Sequence, residues 1–427
     1  MLTSICGINW GDEGKGRMVD LLSSDYDVVC RYQGGNNAGH TVINDKGEFI
    51  LNLLPSGILR DDVVNVLGPG MVIDIKHLCN EMDRLRAGGI VITPDNLKIS
   101  DKAIITMPYH VQLDCLEEER LSKKTGKPYG STRRGIAPVY ADKYMKKVFR
   151  MGELLKPELM YERIHDIVEW KNLTIVNGYG AEPVKDEDIV AYFEEYGKKL
   201  KDYVIDTGLY LNAQHKAGKK IMFEAQLGAL RDIDFGIVPY TSSSSTIAAY
   251  APIGAGVPNL KLDNSIGIMK AYSSCVGAGP FTCEYFGEKA HKLREAGHEY
   301  GAATGRPRRV GPFDVVASRY GIRCQGADEI ALTKLDVLDG YEEIEVCTAY
   351  KLRGEIIHEF PFTDVLDECE PVFETVKGWN CDISGCRKKE DLPKEALDYI
   401  KYLEKACECH IKYVSVGPER DAYIIMD

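Results

Sequence analysis

Hydrophobic and polar positions at the start of the chain follow the order expected for a strand, a turn and a helix. Residues 2–8 form a largely apolar run, and apolar side chains return at helical spacing at Met18, Val19, Leu21 and Leu22. The residues between them, Asn-Trp-Gly-Asp-Glu-Gly-Lys-Gly-Arg, are rich in glycine. A strand that leads through such a turn into a helix directs backbone N–H groups at whatever lies over the helix N-terminus, which suits a phosphate.

The rest of the chain alternates short apolar runs with amphipathic stretches. The pattern predicts strands at 28–32, 220–224, 265–271, 329–336 (a strand leading into a polar turn), 410–416 and 422–426, and helices at 73–85, 108–121 and 395–407. A hairpin is predicted between 41–43 and 48–50. This alternation is typical of an α/β fold with a large, mostly parallel central sheet flanked by helices. We expect one domain over 1–427, with a helical insertion at roughly 150–217 and an exposed basic loop at 123–135.

Composition and charge argue against several classes of protein. Lys and Arg number 53 and Asp and Glu number 65, so the formal net charge is −12. An acidic body disfavours nucleic acid and anionic membranes as partners, and no apolar stretch approaches the length of a membrane span. The thirteen cysteines are scattered and include no Cys-x-x-Cys pair, which indicates reduced thiols in a cytoplasmic protein.

Candidate catalytic groups lie in two glycine-rich turns. In the first, Lys15 can supply a point charge for phosphate, and Asp12 can act as a base or as a Mg²⁺ ligand. Asn9 and Gly16 stand where a Walker A motif has glycine and a hydroxyl residue, so the turn is P-loop-like without being that motif. In the second turn, residues 34–40, two asparagines precede His40, for which a catalytic and a structural role are both open.

Two further segments indicate small anionic ligands. Arg306, Arg308 and Arg309 lie in one loop, and planar guanidinium groups match phosphate and carboxylate oxygens. Thr-Lys-Leu-Asp at 333–336 is similar to the turn by which GTPases recognise guanine, where a carboxylate accepts N1–H and the exocyclic amine. The cysteine and histidine spacings fit no standard zinc site.

Taken in order, these motifs resemble those of the adenylosuccinate synthetase family. The resemblance rests on segments 10–16, 31–41, 53–58, 135–138, 232–234, 304–309, 332–340 and 415–418, and it covers essentially the whole chain. It implies a GTP-dependent ligase of purine biosynthesis that joins L-aspartate to the 6-position of IMP through a 6-phosphoryl intermediate. It also implies Mg²⁺ as cofactor and a homodimer with a shared active site.

The resemblance assigns roles position by position. Asp12 and His40 would be catalytic, and Asp12 and Gly39 would bind the metal. The GTP site would comprise Gly11, Glu13, Gly14, Lys15, Gly16, Arg17, Thr41, Arg308, Lys334, Leu335, Asp336, Ser415, Val416 and Gly417. The IMP site would comprise Asn37, Ala38, Gly39, Thr132, Lys146, Gln226, Leu227, Ser242 and Arg306, with Lys146 reaching the neighbouring subunit's IMP. Aspartate would contact Ala302, Ala303, Thr304, Gly305, Arg306 and Arg308.

The chain also departs from the family pattern near its substrates. Leu227 stands where the family has the glutamine that contacts the purine, beside Gln226, and Ala303 replaces a threonine of the aspartate loop. Lys146 replaces an arginine, which keeps the charge and loses the guanidinium fork. One alternative is therefore a divergent relative that uses GMP or dGMP. A second, a non-catalytic GTP-binding regulator, predicts loss of Asp12 or His40, and both are present.

Overall fold

Twenty strands form the β-structure of the protein, which a computed structural model describes for residues 1–44, 47–126, 129–301, 305 and 307–427. In chain order they are β1 (Leu2–Gly7), β2 (Val28–Arg31), β3 (His40–Asn44), β4 (Gly47–Leu51), β5 (Val64–Leu67), β6 (Val72–Ile73), β7 (Leu97–Ser100), β8 (Ile104–Ile105), β9 (Val204–Ile205), β10 (Ile221–Glu224), β11 (Asn264–Lys270), β12 (Ser273–Cys275), β13 (Arg309–Gly311), β14 (Phe313–Asp314), β15 (Glu329–Thr333), β16 (Glu343–Leu352), β17 (Glu355–Ile357), β18 (Cys369–Lys377), β19 (His410–Ser415) and β20 (Tyr423–Ile425).

Twelve α-helices surround these strands in the part of the chain that the structure describes. They are α1 (Lys15–Leu22), α2 (Ile75–Ala87), α3 (Pro108–Thr125), α4 (Ile136–Met145), α5 (Pro157–Asn172), α6 (Asp186–Tyr192), α7 (Lys198–Leu200), α8 (Thr207–Lys216), α9 (Ala251–Ala255), α10 (Gly287–Ala296), α11 (Val315–Gln325) and α12 (Lys394–Cys407). None of the described helices combines the length and apolar content needed to cross a bilayer.

The central sheet has ten strands in the order β20-β19-β15-β11-β1-β10-β2-β5-β7-β9. Every neighbouring pair is parallel except β19 and β20, which are antiparallel. All six residues of β1 are buried, which is why the strand reads as a continuous run instead of an alternation of polar and apolar residues. The predicted α/β fold with a mostly parallel sheet is confirmed.

Parallel pairing places the carboxyl ends of β1, β10, β11 and β15 at one edge of the sheet. The register pairs Ile5 with Glu224 and Gly7 with Ile268, and Lys270 with Thr333. The glycine-rich turn after β1 therefore emerges between the last residues of its neighbours. Ligands of open α/β sheets bind outside the carboxyl ends of the strands, so this edge is where a site is expected.

Helix α11 packs against the beginning of that turn through a position that only glycine fits. A Cβ placed on Gly321 would overlap the carbonyl oxygen of Ile8, and Gln325 of the same helix donates from Nε2 to the carbonyl oxygen of Gly7 at 2.9 Å. The helix thus supports the end of β1 directly from below the turn.

Several predicted boundaries differ from those observed. Helix α2 begins two residues later than predicted, because Ile73 belongs to β6 and Asp74 caps the helix by accepting a hydrogen bond from the His77 N–H at 3.0 Å. The prediction that an exposed loop begins at residue 123 is wrong. Helix α3 continues to Thr125 and ends where Gly126 adopts a φ of 67°.

Other predicted elements need little or no revision. Strands β3 and β4 pair antiparallel over His40–Asn44 and Gly47–Leu51, as the hairpin prediction requires; the two central turn residues, 45 and 46, lie outside the described residues. The segment 150–217 is mainly helical, but it also supplies β9, the edge strand of the central sheet.

We predict that Gly321→Ala destabilises the protein by about 1–3 kcal/mol, because the methyl group forces α11 away from β1. The measurement is guanidinium-induced unfolding. Gly385→Ala is the matched control, since a Cβ there meets no atom within 4 Å. Equal stability of the two variants would contradict the close packing of α11 on β1.

Candidate active site

The first glycine-rich turn is held in shape by a buried carboxylate. Glu13 Oε1 accepts hydrogen bonds from the N–H groups of Asn9 (3.1 Å) and Gly11 (2.8 Å). Its Oε2 lies 2.6 Å from Lys15 Nζ, and both side chains are about 2–3% exposed. Glu13 therefore supports the turn from inside and neutralises the charge of Lys15. Both residues are predicted from the sequence to lie in the GTP site, and the structure shows that Glu13 also has this structural role.

The backbone of the turn adopts left-handed conformations at three positions. Gly11, Asp12 and Gly14 have φ values of 103°, 60° and 96°. Gly14 is the N-cap of α1 and makes no side-chain capping hydrogen bond, so the first N–H groups of the helix are available to an anion. Asp12, a non-glycine residue in this region, has a side chain that is 32% exposed.

His40 lies against the first turn of α1 and is held by a carboxylate at the end of β10. A Cβ on Gly16 would come within 2.5 Å of His40 Cβ, so the glycine allows this approach. His40 Nδ1 and Glu224 Oε1 are 2.5 Å apart. Ser56 donates to the same carboxylate from its N–H and its hydroxyl, both at 2.8 Å, which fixes the orientation of Glu224 and leaves Nε2 of His40 for another partner.

Burial and the hydrogen bond between His40 and Glu224 shift the pKa of each of these two groups in a defined direction. Burial lowers the pKa of His40, against the effect of the bond to Glu224, which raises it. Burial alone would raise the pKa of Glu224, but the contacts with His40 and the charge of Arg31 hold it below its usual value. At neutral pH the pair is therefore a carboxylate that accepts from Nδ1–H of a neutral imidazole.

A second buried carboxylate links Asp12 to the opposite side of the site. Arg308 lies between two acids: its Nη2 is 3.2 Å from Asp12 Oδ2 and its Nη1 is 2.8 Å from Glu299 Oε2. Glu299 is fully buried. Its Oε1 also receives Lys270 Nζ (2.6 Å), the Tyr272 hydroxyl (2.5 Å) and Lys334 Nζ (3.2 Å). We call Glu299 and these four partners, Lys270, Tyr272, Arg308 and Lys334, the Glu299 cluster.

Charges within the cluster shift its pKa values strongly. Burial would raise the pKa of Glu299, but Lys270, Lys334 and Arg308 hold it well below its usual range. Burial lowers the pKa of Lys270 to about 8, even though Glu299 raises it. Glu299 is therefore ionised across the physiological range.

The predicted guanine-recognition segments meet α1 at the other end of the turn. Arg17 donates from Nη1 to the Ser415 hydroxyl and from Nη2 to the carbonyl oxygens of Glu419 (2.6 Å) and Ala422 (3.0 Å). Its guanidinium group thus anchors the loop after β19. Arg420 of that loop pairs with Asp20 of α1 through two hydrogen bonds, at 2.7 and 2.8 Å.

The Thr-Lys-Leu-Asp segment lies beside both features. Thr333 Oγ1 donates to the Glu13 carbonyl oxygen at 2.6 Å, which joins β15 to the glycine-rich turn. Lys334 adopts a φ of 59°, and Leu335 is fully buried. Burial raises the pKa of Asp336, partly offset by the charges of Arg17 and Lys334. Val416 and Gly417 are buried after Ser415 at the end of β19.

The residues around the predicted purine contact have internal partners. Gln226 is fully buried, and its Nε2 donates to the carbonyl oxygens of Gly35 (2.6 Å) and Asn52 (3.3 Å). Leu227, with a φ of 58°, is half-buried, and its Cδ2 lies 3.5 Å from a Cβ position on Gly11. Leu227 therefore approaches the first glycine-rich turn, and the Gln226 amide is directed beneath the second turn.

The other predicted residues are placed as follows. Asn37 and Ala38 are half-buried, Gly39 is exposed, and the Asn37 Oδ1 accepts from the Gly35 N–H at 3.2 Å. Ser242 is buried, with its hydroxyl 3.1 Å from that of Ser244. Thr41, Thr132 and Lys146 are exposed. Gly305 has a φ of 62°; Ala302, Ala303, Thr304 and Arg306 lie outside the described residues.

Sequence reasoning missed three residues of this site: Glu224, Lys270 and Glu299. Two of them had a signal, because a charged side chain at the end of an otherwise apolar strand needs a buried partner. Glu224 and Lys270 are the last residues of β10 and β11. Glu299 had none, since it ends no apolar strand and three of its four partners lie 27 to 35 residues away along the chain.

A parallel sheet with an open helix N-terminus and a cation cluster at its carboxyl edge is typical of α/β enzymes that bind nucleotides. The family model for adenylosuccinate synthetase matches residues 4–424. The chain is 44% identical to the adenylosuccinate synthetase of Caldanaerobacter subterraneus subsp. tengcongensis over 426 residues, which cover 100% of this chain and 99% of the relative. It is 41% identical to that of Streptococcus gordonii, with coverage of 99% and 97%.

Solved structures agree with the sequence relatives. The fully ligated adenylosuccinate synthetase from Plasmodium falciparum superposes with a TM-score of 0.93 at 37% identity, covering 100% of this chain and 99% of that one. The cyanophage S-2L succinoaminodeoxyadenylate synthetase bound to dGMP and dATP has a TM-score of 0.61 at 18% identity, with coverage of 99% and 95%, and shares the fold. The chain belongs to the adenylosuccinate synthetase family. The predicted class, a GTP-dependent ligase, is confirmed, and the dGMP-using alternative is not favoured.

We predict that Glu224→Gln lowers the pKa of His40 further, because it removes the negative charge that partly opposes the effect of burial. At any pH below neutrality a smaller fraction of His40 is then protonated. Selective ¹³C labelling of histidine and NMR titration measure this shift. His165, exposed and paired with Asp186, is the internal control; an unchanged His40 titration would contradict the assigned pair.

Proposed function

We propose that the protein joins L-aspartate to the 6-position of IMP at the expense of GTP, releasing adenylosuccinate, GDP and phosphate. The observation that supports this best is the position of Asp12 and His40. An accessible carboxylate on the first glycine-rich turn and a carboxylate-oriented imidazole at the end of the second both lie at the open N-terminus of α1.

The chemistry requires a base and an acid at this place. The 6-oxo group of a purine is a poor leaving group, so an amine does not displace it directly. Asp12 takes the proton from N1, and the electron pair makes O6 nucleophilic towards the γ-phosphorus of GTP; an O–P bond forms and the bond to GDP breaks. The aspartate amine then attacks C6, and phosphate leaves with the former O6.

His40 acts at O6 of the purine and at the phosphoryl group that O6 receives. Because Nδ1 is bound to Glu224, Nε2 is the nitrogen left to face O6 and the transferred phosphoryl group. Burial disfavours the imidazolium in the free protein, whereas negative charge on the arriving nucleotides favours it. His40 thus gains its second proton when the substrates are bound, and donates from Nε2 to the developing negative charge.

We assign the remaining contacts by ligand. The turn from Gly11 to Arg17, with Thr41, faces the GTP phosphates, while Lys334, Leu335, Asp336, Ser415, Val416 and Gly417 frame guanine. IMP contacts Asn37, Ala38, Gly39, Thr132, Leu227, Ser242 and Arg306. Gln226 supports the second turn beneath them through its hydrogen bonds to main-chain carbonyl oxygens. Aspartate contacts the loop from residue 302 to Arg306, and Arg308 faces both aspartate and GTP.

The residues of the turn also suit Mg²⁺. Nucleotide enzymes hold this ion with one or two carboxylates and substrate phosphates instead of a complete protein cage. Asp12 supplies one partly exposed carboxylate, and the described residues contain no cluster of three or more acidic, histidine or cysteine side chains that would form a cage. Asp12 and the Gly39 carbonyl oxygen would hold Mg²⁺, which when bound neutralises phosphate charge.

We further propose a homodimer whose partner subunit completes the IMP site. Lys146 is exposed at the C-terminal end of α4 with a φ of 62°, and the adjacent Tyr144 and Met145 are 79% and 60% exposed. A cation beside two exposed apolar side chains suits a subunit interface. The single domain over 1–427 and the cytoplasmic location stay predictions from the sequence.

The function is tested by phosphate release from GTP with Mg²⁺ and L-aspartate, in parallel with IMP, dIMP, GMP and dGMP, and by mass identification of the product. We predict turnover and an aspartate adduct with IMP and dIMP. Asp12→Asn should lower kcat by about 10²–10⁴-fold, because the base is lost. Turnover confined to GMP or dGMP would assign the 2-aminopurine reaction, and tight GTP binding without any turnover would refute the ligase.

The shared site makes a separate prediction about mixed dimers. Asp12→Asn and Lys146→Glu proteins should each be nearly inactive with IMP at low concentration. Mixed after dissociation and reassociation, they should recover about a quarter of the wild-type rate, because half of the dimers are mixed and each has one intact site. Absence of recovery, with mixed dimers demonstrated by mass spectrometry, would show that Lys146 serves its own subunit.

A further inference from the structure

We propose that Glu299 is a positioning residue that holds Arg308 and Lys334 in one rigid array, and so couples the aspartate and Asp12 side of the site to the guanine side. This inference rests on the proposed function for the identity of the ligands. Glu299 itself contacts neither Asp12 nor a residue that we assign to IMP.

The geometry places one carboxylate between two functional cations. Glu299 Oε2 accepts from Arg308 Nη1 at 2.8 Å, and Oε1 accepts from Lys334 Nζ at 3.2 Å. The backbone repeats the connection, because the Arg308 N–H donates to the Glu299 carbonyl oxygen at 2.8 Å. Lys334 Nζ is fixed a second time by the Gly297 carbonyl oxygen at 2.6 Å.

Two further partners orient Glu299 from below. Lys270 Nζ, at 2.6 Å, also donates to the Ser274 hydroxyl at 2.6 Å, and the Tyr272 hydroxyl donates to Oε1 at 2.5 Å. Lys270 and Tyr272 come from the end of β11 and the residues after it, so the orientation is set by the central sheet. A carboxylate with this many charge-assisted hydrogen bonds has little rotational freedom.

The charges of the cluster argue for a role beyond stability. One buried carboxylate faces three cations, whereas a purely structural pair needs one. Lys270 is buried, whereas Arg308 is 16% and Lys334 34% exposed, and surplus positive charge at such a partly buried site is stabilised when an anion complements it. Part of that complement is Asp12, which contacts Arg308, and the substrates bring the rest.

Of the residues in the cluster, Arg308 is the one whose position depends most on Glu299. In the structure it is shared between Asp12 and Glu299. Once Asp12 engages the purine and Mg²⁺, as proposed, Glu299 is the carboxylate that keeps Arg308 in place. Without Glu299 the Arg308 guanidinium moves towards Asp12 or the incoming phosphates. Its contacts with aspartate and GTP are then no longer correctly oriented.

The test is Glu299→Gln, which keeps the shape and removes the charge. We expect KM for GTP and KM for aspartate to rise by about 10-fold or more, from the loss of charge-assisted hydrogen bonds, with KM for IMP unchanged within about twofold. The kcat/KM for GTP of Glu299→Asp should lie between those of wild type and Glu299→Gln. Glu299→Asp also replaces Glu299→Gln as the test variant if the latter does not fold.

Asp314→Asn is the matched control. Asp314 is another buried carboxylate, which accepts from the Ala317 N–H at 3.0 Å and the Tyr350 hydroxyl at 2.6 Å, and is not part of the Glu299 cluster. Its variant should change thermal stability without changing any KM. A Glu299→Gln enzyme that is destabilised but has wild-type KM values for all three substrates would refute the proposal.

Equilibrium GTP binding separates this inference from the proposed function. Calorimetric titration of GTP into wild type, Glu299→Gln and Asp314→Asn needs no turnover. Weaker GTP binding in Glu299→Gln alone supports the positioning role even if wild type fails to ligate IMP. Equal GTP affinity in all three proteins overturns it even if wild type is fully active.

Discussion

Parallel pairing of the central strands is the constraint on which the site depends, because it brings the carboxyl ends of β1 and its neighbours to one edge. β10 ends at Glu224, which orients His40, and β11 ends at Lys270, which orients Glu299. β15 ends at Thr333, which bonds to the main chain of the glycine-rich turn. The two neighbours of β1, β10 and β11, and the next strand, β15, thus each supply one fixed polar group. The sheet itself brings these three groups together, so no loop has to become ordered for that.

Burial of these groups imposes a second condition, that each buried acid has a partner before substrates arrive. Glu13 neutralises Lys15, and Glu224 accepts from His40. The arrangement reduces the reorganisation needed during the reaction, because the dipoles and charges are already oriented. It also explains why Asp12 stands apart: its side chain is about one-third exposed and its partner, Arg308, is itself held by another acid. The proposed base is therefore more accessible to substrates than the buried acids Glu13, Glu224 and Glu299.

Local features of the site could be predicted from sequence, and distant pairings could not. The strand, turn and helix at 2–22 follow from periodicity and glycine content, and α1 and β1 lie where the pattern places them. Helix ends were less accurate, because capping depends on single side chains such as Asp74. Glu299 could not be found, since it meets Lys270 and Lys334 only after the chain has folded. The resemblance groups Arg17 with the GTP contacts, and the structure adds a partner that sequence does not show: its guanidinium anchors the loop after β19.

The departure from the family pattern at the purine has a structural consequence. Gln226 does not substitute for the missing glutamine, because its amide donates to two main-chain carbonyl oxygens beneath the second turn. Leu227 instead presents an apolar side chain close to Gly11, where it can exclude water but cannot donate or accept a hydrogen bond. Under the proposed function, polar recognition of N1 and O6 then falls on Asp12 and His40, the two groups that also perform the chemistry. In that case the same contacts bind the purine edge and catalyse the reaction, and they are strongest in the transition state, when negative charge develops on the purine.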